Sequence, residues 1–356
     1  MIRELLEQGI FEGVFVGAQA AVCPMGGEPE IVCAGRTCRN GGEPVEKRTL
    51  FDVASLTKLF LCSAILRLAD EGRLNIDIPL AGIFSRDVLG DHLAGVTIAQ
   101  LLAHEAGLKA WEPFFERVDP QLRGTIFAKN AIVKMALTAP VEGPPGVVSH
   151  YSDLGYIILG SLLFDITGAS LESLIASQVT IPLNLNSIVY RPLKSNSEKV
   201  DILCSRIAAT EVCSWRAKTL VGEVHDDNAW TMGGVAGHAG LFGTARDVAQ
   251  FGAAWLETIN SGDWLSTDLA LRAVSQRQLG RGLGWDMVTP GGSSAGSLIA
   301  DRAFGHLGFT GCSLWVDPDA SISIALLTNR VHPSRDNNAI RAFRPRFHDK
   351  VMKIKG

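Results

Sequence analysis

Hydrophobic and polar positions follow three patterns along the first part of the chain. Residues 2–10 have the periodicity of a short amphipathic helix, and residues 14–23 and 30–37 have the pattern of two β-strands. Residues 55–71 have a helical pattern that is apolar on almost every side, and Gly72 ends it. Such a helix is expected inside the protein, with its N-terminus nearest to solvent.

Helix patterns dominate the middle of the chain, and strand patterns return after about residue 205. The predicted elements are a helix over 98–104 capped by Thr97, an apolar helix over 153–167, a helix capped by Ser170, a helix over 248–259, strands over 312–316 and 322–328, and a closing helix over 337–353. This order predicts one sheet built from both ends of the chain, with an inserted helical domain. We expect one domain from residues 1–60 and 205–356, and a mainly helical one from residues 61–204.

Composition narrows the class of protein. The 356 residues are 47% hydrophobic and 20% charged, which is typical of a folded globular protein, and the net charge of −4 argues against a nucleic-acid binder. The longest mostly apolar stretch, residues 154–164, is too short to cross a bilayer, and the acidic N-terminus lacks the apolar core of a signal peptide. The seven cysteines contain no C-x-x-C pair, which favours a reducing compartment. We therefore expect a cytoplasmic protein without a membrane or nucleic-acid partner.

The sharpest chemical motif is Ser55-Leu56-Thr57-Lys58. At positions i and i+3 of a helix, the Ser55 hydroxyl and the Lys58 amine share a face, so a neutral amine there can take the serine proton. The alternative is a surface lysine near a helix cap. A lysine early in an otherwise apolar, buried helix is costly without a purpose, which favours the catalytic interpretation.

Two further motifs follow. Tyr151-Ser152-Asp153 stands at the start of the apolar 153–167 helix, where the Tyr151 phenol can carry a proton, or where Ser152 or Asp153 simply caps the helix. Residues 305–311 lead through several glycines into a strand, which lets a substrate approach the backbone closely and lets an amide donate to an oxyanion.

In this order, the three motifs resemble those of the serine β-lactamase and penicillin-binding-protein superfamily, and most closely its class C β-lactamase-like branch, which includes family VIII carboxylesterases and D-aminopeptidases. The resemblance covers about residues 10–335. It implies an α/β (α+β) fold with an antiparallel sheet flanked by helices, an inserted helical domain, and an active site between the two. It further implies that Ser55 is the acylated nucleophile, that Lys58 shares in proton transfer, and that Tyr151 is the general base and then the acid. The implied oxyanion hole is formed by the backbone N–H groups of Ser55 and Phe309.

The chain departs from the family pattern at two places. The family often has Asn where Asp153 stands, and a carboxylate there would hold Lys58 as an ammonium group, which shifts the role of base to Tyr151. Many members have Lys-Thr-Gly where this chain has His306-Leu307-Gly308. A neutral His and a Leu remove the charge and the hydroxyl that grip a substrate carboxylate, and Thr310 is expected to replace them in part. Esters or amides without a carboxylate are therefore favoured.

Other candidate residues receive weaker roles. Residues 292–296 match the G-x-S-x-G nucleophile motif but follow a Pro-Gly pair in a Gly/Ser-rich segment, so we expect a surface loop. His225, Asp226, Asp227 and His238 lack the spacing of a known metal motif, and a role in shaping the cleft is favoured over metal binding. His104 is expected to be structural. No metal or cofactor is expected.

The leading hypothesis is a serine hydrolase that acts on small esters. The alternatives are an amidase or peptidase for D-amino-acid or muropeptide substrates, a β-lactamase, and a non-catalytic penicillin-binding sensor or scaffold. Retention of Ser55, Lys58 and Tyr151 together argues against the sensor. In each enzymatic case the partner is a small ester or amide. The acyl group, the choice between hydrolysis and acyl transfer, and the oligomeric state stay open at this point.

Overall fold

Strands from the two ends of the chain form one antiparallel sheet. The computed structural model describes residues 1–85, 87–193, 206–275 and 279–355. The strand order is β2 (Glu30–Gly35), β1 (Gly17–Pro24), β11 (Ile322–Thr328), β10 (Ser313–Asp317), β9 (Phe304–Leu307) and β8 (Asp286–Met287). Strand β1 pairs with β11 so that Ala18 lies opposite Thr328. The predicted sheet from both ends of the chain is therefore confirmed.

Smaller strands and the helices complete the fold. One short sheet joins β3 (Phe51–Asp52), β7 (Leu241–Gly243) and β4 (Val189–Tyr190), and another joins β5 (Val212–Cys213) and β6 (Lys218–Thr219). The α-helices are α1 (Ile2–Phe11), α2 (Thr57–Asp70), α3 (Ile98–Leu102), α4 (Ile126–Leu137), α5 (Asp153–Thr167), α6 (Leu171–Ile175), α7 (Asp227–Thr231), α8 (Ala245–Ser261), α9 (Thr267–Val274) and α10 (Ile340–Lys355).

Helices cover both faces of the large sheet because side chains alternate along its strands. On β11, Ile324 packs with α1 and α10, whereas Leu327 packs on the opposite face in the same core as α8. Helix α2 lies in that second core, where the ring of Phe60 stacks on Phe251 of α8 at 4.3 Å between centroids. The sheet and α2 thus hold the segments of the candidate site in place.

The helix predicted over 55–71 begins at Thr57 in the structure, two residues later than the sequence pattern indicates. A 3₁₀ turn over Ala54–Leu56 precedes α2, and Ala54 has a φ of +48° that a non-glycine residue rarely adopts. The Asp52 carboxylate accepts a hydrogen bond from the Ala54 amide at 2.8 Å and so holds the turn. Ser55 therefore lies in a tight turn ahead of the helix rather than in its first turn.

The proposed division into two domains stays a prediction, since its boundary at residues 204 and 205 lies outside the described residues, as does Cys204. Within the described ranges, no single helix is long and apolar enough to cross a membrane. Helices Asp153–Thr167 and Leu171–Thr180 reach that length only together, with a bend of 85° between them.

Candidate active site

Lys58 lies at the centre of the candidate site. Its Nζ donates to Ser55 Oγ at 3.0 Å and to the His238 carbonyl at 3.2 Å, and it forms an ion pair with Asp153 Oδ1 at 2.6 Å. The side chain is 0% exposed. Burial lowers the pKa of Lys58, but the Asp153 carboxylate and Tyr151 raise it more, so the net pKa lies above its ordinary value. Lys58 is therefore an ammonium group that donates to the Ser55 hydroxyl.

Tyr151 lies beside this pair, with its ring centroid 5.0 Å from Lys58 Nζ. Burial and the Asp153 carboxylate raise the pKa of the phenol, while the charge of Lys58 and hydrogen bonds from Lys58 and Ser55 lower it by less. Tyr151 is thus a neutral phenol at neutral pH. The nearby ammonium group favours the phenolate when the proton leaves.

The start of helix α5 orients Tyr151 and Asp153. Ser152 caps the helix, because its Oγ accepts from the Leu154 amide at 3.2 Å and donates to the Lys109 carbonyl at 2.6 Å. His104 Nδ1 accepts from the Ser152 amide at 3.0 Å, and its ring lies 4.7 Å from that of Tyr151. Burial holds the pKa of His104 well below 6.5. His104 is therefore a neutral acceptor that fixes the backbone next to Tyr151.

Strand β9 forms another edge of the site. His306 is buried, and its Nδ1 lies 2.8 Å from the Leu307 carbonyl. Burial, together with the charges of Lys58 and Arg281, lowers the pKa of His306 to about 3, so the ring is neutral at neutral pH. Gly308 packs against the segment before Ser55, and a Cβ at this position would lie 2.7 Å from the Val53 carbonyl oxygen. Only glycine fits this contact.

The two residues that follow Gly308, Phe309 and Thr310, differ in exposure to the cleft. Phe309 lines the cleft with a side chain that is 52% exposed. Thr310 is buried, and its hydroxyl donates to the Asp52 carbonyl at 2.7 Å. This hydroxyl is already bonded, and Thr310 is not among the residues that line the cleft, so its expected contact with the substrate stays a prediction.

The residues around His225 are engaged in hydrogen bonds and ion pairs with other side chains. His238 Nε2 lies 2.8 Å from Asp226 Oδ1, which also caps α7, and His225 Nε2 lies 3.1 Å from Glu211. Asp227 pairs with Arg216 at 2.6 Å. The part of the chain that the structure describes holds no group of three or more His, Cys, Asp or Glu side chains that could bind a metal ion. His225, Asp226, Asp227 and His238 all line the cleft.

These elements enclose a cleft of about 680 Å³, and several of the residues that line it were not predicted from the sequence. The missed residues include Trp111, which is 42% exposed, and four arginines: Arg281, Arg335, Arg341 and Arg344. They come from loops and from helix α10, in stretches without a recognisable motif. The Arg281 guanidinium lies 5.5 Å from the Tyr151 ring centroid and pairs with Asp286. Ser294 lies in the loop between β8 and β9, outside this cleft.

Comparisons with known proteins agree with this geometry. The family model described as "Beta-lactamase" matches residues 2–345. A Salmonella agona protein named "Putative D-alanyl-D-alanine carboxypeptidase" is 31% identical over 318 residues, which cover 80% of this chain and 70% of that protein.

Two solved structures have the same fold. EstCE1, described as a hydrolase with promiscuous acyltransferase activity, matches with a TM-score of 0.72, 20% identity and 97% coverage of each chain. A penicillin-binding protein homolog from Caulobacter crescentus matches with a TM-score of 0.72 and 21% identity, over 99% of this chain and 96% of that chain. Such structures show the predicted antiparallel sheet with flanking helices. The match over nearly the whole chain and the 31% identical relative show that this protein is a serine hydrolase that belongs to the beta-lactamase family.

Proposed function

We propose that the protein is a carboxylesterase that hydrolyses small esters through an acyl-enzyme on Ser55. The observation that carries the proposal is the contact of Ser55 Oγ with the buried Lys58 ammonium group at 3.0 Å, inside a cleft next to Tyr151. Neutral His306 and Leu307 on strand β9 offer no charge to a substrate carboxylate. Exposed Trp111 and Phe309 give the cleft apolar walls that suit an ester.

In the proposed mechanism, Tyr151 first gives its phenol proton to water, and the resulting phenolate takes the Ser55 proton while Oγ attacks the ester carbonyl carbon. The carbonyl electron pair moves to oxygen, and the backbone amides of Ser55 and Phe309 stabilise this oxyanion. When the intermediate collapses, the alcohol leaves with the proton held by Tyr151. Water then attacks the acyl-enzyme by the same route in reverse and releases the acid. The Lys58 ammonium group stabilises Tyr151 in the steps in which it is a phenolate.

A second candidate function is cleavage of peptides that end in D-alanine, as the name of the Salmonella relatives suggests. The observation that favours it is the set of arginines along the cleft, since Arg341 carries positive charge that a terminal carboxylate would meet. Small-molecule substrates and a cytoplasmic location remain part of the proposal.

The test measures hydrolysis of short-chain p-nitrophenyl esters by the wild type, Ser55→Ala and Ser294→Ala, with nitrocefin and a peptide ending in D-Ala-D-Ala in parallel. We expect ester turnover that is lost in Ser55→Ala and kept in Ser294→Ala, with little nitrocefin hydrolysis. Mass spectrometry of the quenched reaction should place the acyl group on Ser55. Faster Ser55-dependent release of D-alanine than of p-nitrophenol would favour the second candidate, and turnover that survives in Ser55→Ala would refute both.

A further inference from the structure

Two buried arginines hold the loop that joins β9 to β10, residues 308–312. Arg344 of α10 donates through Nη2 to the Gly308 carbonyl at 2.8 Å and to the Cys312 carbonyl at 2.7 Å. Arg330 donates through Nε and Nη2 to the Phe309 carbonyl at 2.8 and 2.6 Å. The backbone amide of Arg330 donates to the Thr310 carbonyl at 3.1 Å. The carbonyls of Gly308, Phe309, Thr310 and Cys312 thus all accept hydrogen bonds.

Neither arginine has an acidic partner in the described parts of the chain. Arg330 and Arg344 are only 4% and 6% exposed, and burial together with the charges of neighbouring arginines lowers the pKa of both, that of Arg344 to about 10. By contrast, buried Arg216 pairs with Asp227 at 2.6 Å. A buried guanidinium without a carboxylate is costly. This positive charge therefore calls for a role beyond holding the fold together.

The geometry of one peptide unit indicates that role. In a trans peptide the C=O and the following N–H point in opposite directions, so the Phe309 N–H points away from Arg344. Among the described residues, the Phe309 amide donates to no other group. Gly308 packs against Val53, two residues before Ser55, so this amide belongs to the segment that lies against the nucleophile turn.

We propose that Arg330 and Arg344 are positioning residues for the oxyanion hole. This inference rests on the proposed Ser55 acyl-enzyme. When the Oγ–C bond forms and the carbonyl electron pair moves onto oxygen, the Phe309 N–H receives that negative charge. Arg344 on the carbonyl of the same peptide polarises this N–H, and two guanidinium charges that no carboxylate neutralises lie behind it. A carboxylate partner for either arginine would cancel this field, which explains its absence from the described residues.

The test compares Arg344→Met, Arg344→Gln and Arg330→Gln with the wild type on a p-nitrophenyl ester. Loss of one oxyanion donor costs about 100-fold to 1,000-fold in kcat. We expect a loss of about tenfold to 100-fold here, because the Phe309 amide stays present but is less polarised and less fixed. KM should stay within about twofold. The affinity for phenylboronic acid, which forms a tetrahedral adduct on serine, should fall by the same factor as kcat.

Arg346→Met is the matched control, since Arg346 lies on the same helix but is exposed and pairs with Glu12 at 2.5 Å. This variant should keep the wild-type kcat and boronate affinity. A kcat within twofold of the wild type in folded Arg344→Met, or a loss of kcat with unchanged boronate affinity, would overturn the inference. If Arg344→Met does not fold, Arg344→Gln, which also lacks the charge, decides in the same way. Wild-type turnover that does not depend on Ser55 would instead refute the proposed function.

Discussion

Replacing Asp153 with Asn removes the only carboxylate that the described structure places in contact with buried Lys58. At 2.6 Å and an effective dielectric constant near 20, the gross attraction of the pair is about 6 kcal/mol. Breaking a buried pair by removing one partner costs about 3–5 kcal/mol in unfolding free energy. This cost cannot exceed the free energy of deprotonating Lys58, because the side chain can become neutral instead of staying a buried, unpaired charge. From the ordinary lysine pKa of 10.5, deprotonation at pH 7 costs about 5 kcal/mol, at 1.36 kcal/mol for each pH unit.

The pKa of Lys58 determines how the stability lost in Asp153→Asn changes with pH. In the wild type the pKa of Lys58 is raised, so the stabilisation by the pair is fully present below pH 10.5 and is lost only as the pH rises through the raised pKa. In Asp153→Asn, burial is the main remaining influence on Lys58, and it lowers the pKa of that side chain. The variant therefore loses stability as the pH falls below 10.5. The deficit should be about 3–5 kcal/mol at pH 7 and below about 1 kcal/mol at pH 10.

Urea unfolding of the wild type and Asp153→Asn at pH 7, 8, 9 and 10 measures this deficit. Asp165→Asn, near the other end of the same helix, is the control and should show no such trend, because burial raises the pKa of that carboxyl and no ion pair with a described residue stabilises its charge. A deficit that is below 1 kcal/mol at pH 7, or that stays constant from pH 7 to pH 10, would refute the assignment of Lys58 as an ammonium group held by Asp153.

Two further substitutions test the supports of the site. His104→Phe keeps a ring beside Tyr151 but leaves the buried Ser152 amide without its acceptor. We expect thermal unfolding to show a loss of about 1–3 kcal/mol in unfolding free energy, and kcat to fall. Unchanged values would show that the hydrogen bond is dispensable. Gly308→Ala places a Cβ 2.7 Å from the Val53 carbonyl and should displace the loop, with a loss of about 100-fold in kcat. Gly292→Ala, which meets no atom within 4 Å, should keep full activity, and an equal loss in both variants would contradict this explanation.

The sequence predicted the centre of the site well, because local spacing determines it. Ser55 and Lys58 are three residues apart at a helix start, and Lys58 Nζ does lie 3.0 Å from Ser55 Oγ. The expectation that Asp153 holds Lys58 as an ammonium group agrees with their ion pair and with the raised pKa of Lys58. The catalytic roles of these residues, and the oxyanion hole, stay predictions.

Features that depend on tertiary packing were missed. Ala54 adopts a left-handed conformation ahead of Ser55, which a continuous helical pattern does not reveal. The Thr310 hydroxyl turns to the Asp52 carbonyl because an irregular loop has no side-chain periodicity from which its direction could be deduced. Arg344 reaches the 308–312 loop only because helix α10 packs across the sheet, so its role is invisible in a pattern that predicts a closing helix.

The pairing of β1 with β11 also means that the large sheet cannot be completed during synthesis before β11 has emerged. Ala18 and Thr328 are partners in the sheet although they are 310 positions apart in the chain (18 to 328). On the ribosome, β1 can pair with β2 at once, but it lacks its other neighbour until β11 has emerged, while the buried helices between them can already collapse. Ser55 is synthesised long before the 308–312 loop, so the proposed nucleophile precedes the proposed oxyanion loop. If the proposed mechanism holds, a nascent chain cannot form or hydrolyse an acyl-enzyme efficiently until β11 and the 308–312 loop have been synthesised and folded.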